Sequence, residues 1–357
     1  MKTRDVTTWI ALAGATYPQT GANSAPHSGY LETATMVSAT NPQGQFVQQK
    51  LTTRLWFSGS STRLESWQDN QLLSIEIEGP APQTYFPKAK RSMDTPMWLR
   101  KKTPYSQQVL ADFPLYSRSP PLSVQLKGLP CWKYSWHEPE RTFEGDRPSI
   151  AAYDATYWIY ADKQLPFVLQ YAMSDGSKSE LVNFGVNRPV SADTFQVKGS
   201  YRPILPFTVP PGPFTLEITE EHAIQQNSPS TIVTTQTFQG DEKQIKRTYS
   251  GIVRESDGRE RNRLGPDREI MYLGGSYLNQ VLRLSQWDTV DKVGEETLPL
   301  GRADIFQRVV GGPSLEKYWI VDHPLWGSII AQQVSESHGM IITRRITRLE
   351  IGSNFSK

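Results

Sequence analysis

Two short groups of titratable residues are the first candidates for chemistry in this sequence. His137 lies next to Glu138 and close to Glu140, a combination of residue types that suits general acid–base catalysis. Asp322 directly precedes His323, as in an Asp–His dyad. However, neighbouring side chains on an extended chain do not converge on one substrate, and no Gly-x-Ser-x-Gly nucleophile turn accompanies the Asp–His pair. The sequence therefore predicts a protein without enzymatic activity.

Metal and cofactor sites are not indicated either. No two histidines stand at i, i+3 or i+4 spacing, and the single cysteine, Cys131, excludes an internal disulfide and a cysteine-rich metal site. Neither a Gly-x-Gly-x-x-Gly motif nor a phosphate-loop lysine is present. We expect no cofactor and no metal, and we interpret Cys131 as a buried small residue rather than a reactive thiol.

Charge and hydropathy exclude two further classes. The 357 residues include 38 Lys and Arg against 36 Asp and Glu, so the net charge of +2 provides no basic field for nucleic acid. No apolar run approaches the roughly 18 residues of a transmembrane helix. The local basic cluster at residues 88–102 is interpreted either as a solvated loop or as a contact for lipid headgroups or an acidic partner.

The elements that position these residues are mainly strands. A content of 26 Pro and 25 Gly favours a turn-rich β protein. Alternating or mainly apolar and aromatic stretches predict strands at residues 51–57, 61–67, 73–78, 155–160, 167–173 and repeatedly between 214 and 351, with strict alternation of apolar and polar residues at 73–78. Helices are predicted at residues 30–38, 105–111 and 276–287, the first because Tyr30, Ala34 and Val37 recur at helical spacing.

The chain length predicts about two domains. Residues 203–213 contain five prolines and are predicted to form a stiff linker. This linker would separate a first domain at residues 28–202 from a second, β-rich domain at residues 214–357. Residues 1–27 are interpreted as an N-terminal arm or as a trimmed export signal, because the apolar residues 9–15 end in Ala-Gly-Ala.

The first domain resembles the LolA/LolB lipoprotein-carrier superfamily. The resemblance is carried by an ordered series of segments: the opening helix, Thr53-Arg54-Leu55-Trp56-Phe57, Arg63-Leu64-Glu65, Tyr85-Phe86-Pro87, and Trp158 followed by Asp162-Lys163 and Leu165-Pro166-Phe167. It implies a mainly β (α+β) fold, with a deeply curved antiparallel half-barrel, lid helices and an apolar cavity. The lipobox cysteine of the lipid-anchored members is absent, because Cys131 is internal. In the second domain, residues 254–261 resemble a charged hairpin of secreted bacterial β-domains of unknown function.

An acyl-chain site in such a cavity needs aliphatic and aromatic side chains on the inward face of the sheet. The predicted cavity-lining residues are Leu55, Phe57, Leu73, Ile75, Ile77, Trp158, Phe167, Leu169 and Tyr171. Ordinary core packing is the alternative for each of them, since an alternating strand looks the same over a filled core and over an empty cavity.

The leading hypothesis is a non-enzymatic periplasmic or extracellular protein of the bacterial cell envelope. It would bind a lipid or lipoprotein acyl chain in the first domain, with the helix at residues 30–38 as a lid. One alternative is a structural or accessory subunit of an envelope assembly, which would self-associate through an edge strand. Another is a periplasmic regulator that binds a membrane-anchored protein.

Overall fold

Alternating residues form strands along most of this chain, and the computed structural model arranges them in two mainly antiparallel sheets. The structure describes residues 28–40, 45–94, 120–138, 152–161, 168–174, 176, 178–224, 230–255, 259–271, 276–310, 314–337 and 339–352. These residues divide into two compact units. Unit 1 comprises those within 1–38, 48–84 and 94–199, and unit 2 those within 39–47, 85–93 and 200–357. The predicted mainly β fold is confirmed.

The first eleven strands include all those of unit 1. They are β1 (Ser28–Thr40), β2 (Phe46–Ser58), β3 (Ser61–Gln68), β4 (Gln71–Glu78), β5 (Gln83–Phe86), β6 (Arg91–Asp94), β7 (Leu122–Leu126), β8 (Leu129–Glu138), β9 (Tyr153–Tyr160), β10 (Val168–Met173) and β11 (Lys178–Val186). Within unit 1 the hydrogen-bonded order is β4-β3-β2-β1-β11-β10-β9-β8-β7. A short 3-10 helix, Ala192–Phe195, follows β11.

The sheet of unit 1 curls so that one face packs on itself. Leu55 of β2, Leu31 of β1 and Leu129 of β8 belong to one buried cluster, although four strands separate β2 from β8 in the sheet. In the turn between β7 and β8, the Lys127 ammonium donates a hydrogen bond to the backbone carbonyl of Leu181 in β11. We call the face that carries this cluster the inner face, and the reverse side the outer face.

The helix predicted at residues 30–38 is wrong, because these residues form most of β1. β1 pairs with β11 from Gly29–Val186 to Thr35–Ser179, with a bulge next to Glu32. The even spacing between Tyr30 and Ala34 fits one face of a strand as well as one face of a helix. The predicted lid is therefore not formed by this segment, and the helix predicted at residues 105–111 lies outside the described residues.

Unit 2 contains a second sheet, together with the short strand β12 (Arg202–Pro203), which pairs in parallel with β6. The remaining strands are β13 (Phe214–Ile224), β14 (Ser230–Gly240), β15 (Ile245–Glu255), β16 (Glu260–Met271), β17 (Asp291–Leu298), β18 (Gly301–Val309), β19 (Leu315–His323), β20 (Gly327–Ser337) and β21 (Met340–Ile351). Their order is β16-β15-β14-β13-β21-β20-β19-β18-β17.

One helix packs on this second sheet. The helix α1 (Ser276–Leu282) confirms the short helix predicted within residues 276–287, and a 3-10 helix (Trp287–Thr289) follows it. Leu278 and Leu282 of α1 are buried against Phe238 and Trp326.

Two segments that are distant in sequence complete the core of unit 2. Phe86 and Ala89 are buried together with Ile204 and Phe306. Residues 203–213, predicted to be a linker, run beside the start of β20: the Leu205 amide donates to the Ser328 hydroxyl at 2.9 Å, and the Ser328 amide donates back to the Leu205 carbonyl at 3.1 Å. These hydrogen bonds and the burial of Ile204 place this segment within unit 2.

Candidate functional site

Three of the predicted cavity-lining residues lie together on the inner face of unit 1. Leu55, Phe57 and Leu169 have exposed fractions of 3, 1 and 0% and pack with Leu31 and Leu181 in one cluster. Such burial is typical of core side chains in mutual contact.

Two more predicted liners, on β4, lie on the opposite side of the sheet. Ile75 is directly opposite Glu65, and Ile77 is opposite Arg63. Arg63 is in turn opposite Trp56 on β2, whose neighbours in sequence are the inner-face residues Leu55 and Phe57. Because directly opposed residues share a face of a sheet and sequence neighbours alternate, Ile75 and Ile77 lie on the outer face.

The remaining predicted liners are dispersed. Trp158 is stacked against the Lys133 ammonium, 5.4 Å from the ring centroid. Tyr171 packs in a second cluster with Tyr157, at a centroid distance of 6.1 Å. Leu73 lies at an irregularity in the pairing of β3 with β4. Phe167 lies outside the described residues. The structure thus brings together only part of the predicted set, and its lining role remains a prediction.

An open groove lies on the outer face of unit 1, over β1, β2 and β11. Its volume is about 340 Å³. Two classes of residue line it: strand residues on one side, and residues of the segment that follows β11 on the other. They are Gly29, Tyr30, Trp56, Asn183, Phe184, Gly185, Arg188, Pro189, Val190, Ser191 and Thr194. We refer to residues 188–196 as the strap.

The strand side of the groove is aromatic. The rings of Tyr30 and Trp56 lie 5.0 Å apart at 41° to each other. The Tyr30 hydroxyl donates a hydrogen bond to the Glu32 carboxylate. The pKa of Tyr30 is raised well above its usual range, mainly by partial burial and secondly by this hydrogen bond to a carboxylate. Tyr30 therefore stays neutral at physiological pH and offers an apolar ring surface to the groove.

Hydrogen bonds fix the strap at both ends. Near its start, the Ser28 hydroxyl donates to the carbonyl of Arg188 at 2.7 Å. Near its end, the Arg63 guanidinium donates to the carbonyls of Thr194 and Gln196 at 2.8 and 3.2 Å. Because β1 and β3 supply these donors, the strap lies across the outer face and forms the second side of the groove.

Two glycines allow close approaches around β1 and β11: Gly29 against the inner-face residue Phe57, and Gly185 beneath Arg188 in the groove. A Cβ atom on Gly29 would lie 2.6 Å from Cζ of Phe57 and 2.7 Å from the carbonyl oxygen of Gly185. A Cβ atom on Gly185 would lie 3.1 Å from Cδ of Arg188. The Arg188 side chain is therefore folded back over a stretch of strand that carries no side chain.

Three arginines of the outer face differ in their ion pairing. Arg54 pairs with Glu32 at 3.5 Å, and Arg63 pairs with the buried Glu65 at 2.5 Å. Arg188, by contrast, has no carboxylate partner among the residues that the structure describes. The groove therefore carries one uncompensated positive charge beside an aromatic surface.

This arrangement suits binding rather than covalent chemistry. The groove offers ring faces, the Asn183 amide, the Ser191 hydroxyl and a guanidinium, and these groups orient a ligand through stacking and hydrogen bonds. Within the described ranges, no three His, Cys, Asp or Glu side chains are placed to hold a metal ion.

The titratable groups singled out in the sequence have other partners. His137 pairs with Asp154 at 2.8 Å on the surface. His323 accepts a hydrogen bond from the Leu325 amide at 3.2 Å through Nδ1, and burial lowers its pKa. Asp322 instead forms ion pairs with the Arg91 and Arg202 guanidinium groups. The side chain of Glu138 and all of Glu140 lie outside the described part of the chain.

Neither interpretation of the basic cluster at residues 88–102 fits Arg91. Its side chain is only 1% exposed and forms ion pairs inside unit 2. Lys88 pairs with Asp291 at 3.1 Å. Residues 95–102 lie outside the described ranges.

Sequence reasoning missed the groove, although one signal was present. Trp56 stands between two apolar residues in a strand, so alternation alone places it on the polar face. A large aromatic side chain on that face indicates an interaction site. The approach of residues 183–194 to Tyr30 and Trp56 carries no sequence signal, because it depends on the pairing of β1 with β11.

No family model matches the chain, and no curated protein matches it. Among solved structures, it is similar to the Pseudomonas aeruginosa MucA/MucB complex, with 11% identity, a TM-score of 0.26, and coverage of 98% of this chain and 99% of that chain. MucB in complex with MucA(peri) matches with 11% identity, a TM-score of 0.22, and coverage of 96% and 94%. PNGF-II matches with 8% identity, a TM-score of 0.29, and coverage of 91% and 66%. In the described part of the chain, no helix has the length and apolarity needed to span a membrane.

Proposed function

We propose that this chain is a non-enzymatic binding protein of the bacterial cell envelope, periplasmic or extracellular, whose outer-face groove in unit 1 holds a segment of a protein partner. The observation that carries this proposal is the contrast between the two faces of the unit 1 sheet. Inner-face side chains pack against one another, whereas the outer face holds an open groove of about 340 Å³ with an aromatic side and an uncompensated arginine.

The dimensions and chemistry of the groove support a peptide segment as its occupant. Its volume is near the lower end of the range of roughly 300–1,000 Å³ for ligand sites. Rigid aromatic rings and arginine are the residue types that contribute most binding energy at protein interfaces. Tyr30, Trp56 and Arg188 supply both types within one groove.

A partner protein fits two of the roles predicted from the sequence. A regulator would hold a segment of a membrane-anchored protein in the groove, and an accessory subunit would hold a neighbouring subunit of an assembly. Either role needs binding without turnover, and the polar and aromatic lining of the groove is suited to it.

The second candidate function is the binding of a lipid or lipoprotein acyl chain. The inner-face cluster favours it, because an apolar surface contributed by strands from β2 to β8 is the kind of surface that an acyl chain would occupy. This function requires the cluster to open, since Phe57 and Leu169 are 1 and 0% exposed.

Photo-crosslinking from the groove tests the proposal. The exposed Asn183 lines the groove, and the exposed Glu180 lies on the same strand outside it. Each would be replaced by p-benzoylphenylalanine in the full chain, which is expressed in cells of the source organism, irradiated and analysed by mass spectrometry. We expect position 183, and not position 180, to form a covalent adduct with one defined protein.

Other outcomes contradict the proposal. A lipid adduct at position 183 would assign the groove to a lipid instead of a protein partner. Equal crosslinking from both positions, or crosslinking from neither, would remove the groove from consideration as a binding site.

A further inference from the structure

We infer that the groove recognises an acidic peptide: an extended segment in which an Asp or Glu carboxylate binds Arg188 while a neighbouring apolar or aromatic side chain packs on Trp56 and Tyr30. This inference rests on the proposed function and specifies the chemistry of the partner. It is carried by the charge of the groove and by the way in which the fold positions Arg188.

Charge complementarity points to an anion. The arginines that neighbour the groove on the strands are both neutralised within the fold, Arg54 by Glu32 and Arg63 by Glu65. Arg188 is the charged member of the groove lining and has no carboxylate partner among the described residues. A ligand carboxylate would give Arg188 the negative partner that Glu32 and Glu65 give to the other two arginines.

The backbone around Arg188 directs this side chain over the groove. Asn187 has a φ of 57°, so the chain turns sharply after β11. Pro189 restricts Arg188 to extended backbone conformations. The aliphatic stem of Arg188 then lies over Gly185, with Nε 3.5 Å from the position that a Cβ atom there would occupy. Less conformational entropy is lost on binding when the backbone that presents a side chain is already restricted.

The remaining groups of the groove suit a peptide. A guanidinium binds a carboxylate through two parallel hydrogen bonds, which fixes the orientation of the ligand as well as its charge. The ring faces of Tyr30 and Trp56 accept an apolar side chain. The Asn183 amide and the Ser191 hydroxyl can each donate and accept hydrogen bonds, as the backbone of an extended peptide requires.

Selection from a random peptide library displayed on phage tests this inference with the full chain as bait. Three baits would be compared: the wild type, Arg188→Glu and Lys198→Glu. Lys198 is the matched control, because it is exposed on the same stretch of chain but does not line the groove. We expect wild-type and Lys198→Glu selections to converge on Asp or Glu beside a large apolar residue. The affinity of the best synthetic peptide should fall about tenfold or more with Arg188→Glu.

A groove-filling variant separates failure of this inference from failure of the proposed function. Asn183→Trp would block the groove from an exposed strand position. If selected peptides lack acidic residues but lose binding to Asn183→Trp, the predicted carboxylate contact is wrong, whereas the groove remains a peptide-binding site. If Asn183→Trp changes nothing, the proposed function fails as well.

Two further results would overturn the acidic peptide. The first is an equal loss of affinity with Lys198→Glu and with Arg188→Glu, which would show that the peptide is attracted by the net charge of the protein and not by the groove. The second is Arg188-dependent binding to vesicles of phosphatidylglycerol without any peptide selected, which would assign the groove to a lipid headgroup.

Discussion

Arg91 and Asp304 form an ion pair inside unit 2 although 213 positions separate them in the sequence. Nη2 of Arg91 lies 2.5 Å from Oδ2 of Asp304, and each side chain is only 1% exposed. Arg91 also pairs with Asp322 at 3.0 Å, and Lys292 pairs with Asp304 at 3.0 Å. The Arg91 guanidinium lies between these carboxylates and the ring of Trp287, 5.7 Å from its centroid. This network attaches the segment at residues 85–93 to the second sheet.

Arg91→Met should destabilise the protein by about 3–5 kcal/mol, because removing one partner leaves buried carboxylates with too few counter-charges. Urea denaturation followed by tryptophan fluorescence would measure the loss. Arg202→Met is the matched control, because Arg202 pairs with the same two carboxylates but is 44% exposed. We expect the control to cost about 1 kcal/mol or less, and equal losses would contradict the special role of Arg91.

Cys131 should be nearly inert toward iodoacetamide at pH 8 in the folded protein and should react rapidly in urea. Burial raises the pKa of its thiol to about 11, so that the reactive thiolate is scarce at pH 8. Cys131 is the only cysteine in the sequence, so the mass increase of the intact protein reports its reaction directly. Equal labelling rates with and without urea would contradict the burial of the inner-face cluster.

Glu76→Gln should stabilise the protein at neutral pH by roughly 1 kcal/mol, the order of magnitude for relieving an unpaired buried polar group. Burial, and then repulsion from Glu78, raise the pKa of Glu76 above its ordinary value of 4.5. The folded state therefore favours the protonated carboxyl, whose contribution to stability is present below pH 4.5 and lost as the pH rises through the raised pKa.

The effect of Glu76→Gln should accordingly disappear well below pH 4.5. Denaturation curves across this pH range would measure it, with the exposed Glu180→Gln as a control that stays close to the wild type throughout. A stabilisation that is independent of pH would show that the charge of Glu76 is not its cause.

Gly29→Ala should destabilise unit 1 by about 1–3 kcal/mol, the usual cost of overpacking. The added methyl group would meet both the Phe57 ring and the backbone of Gly185, and the backbone cannot move without disturbing the pairing of β1 with β11. Gly79→Ala is the control, because a Cβ atom there meets nothing within 4 Å, and we expect a change within about 0.5 kcal/mol. Thermal unfolding of both variants would measure these differences in stability.

Local patterning accounts for much of what could be predicted about the fold. Residues 73–78 alternate strictly between apolar and polar side chains and form most of β4, and the strands predicted at residues 51–57 and 61–67 fall within β2 and β3. The cores of these strands were predictable because burial of one face requires period two. The segment at residues 30–38 was not, because Tyr30 and Ala34 satisfy either period, and pairing with β11 decides the outcome.

The candidate site was less accessible to sequence reasoning. Leu55, Phe57 and Leu169 were predicted to lie on one apolar face, and they share one cluster. Whether that face encloses a cavity depends on how far the sheet curls, which the alternation of residues does not encode.

The sequence by itself determined the β character of the chain, the polarity of each strand face and the isolation of its single cysteine, since these follow from residue types and their local spacing. Only the tertiary structure decided that Arg188 and Trp56 would line one groove and that Arg91 would be buried with Asp304. Both relationships join residues far apart in the chain, and such contacts are fixed by strand order and register, which no short stretch of sequence specifies.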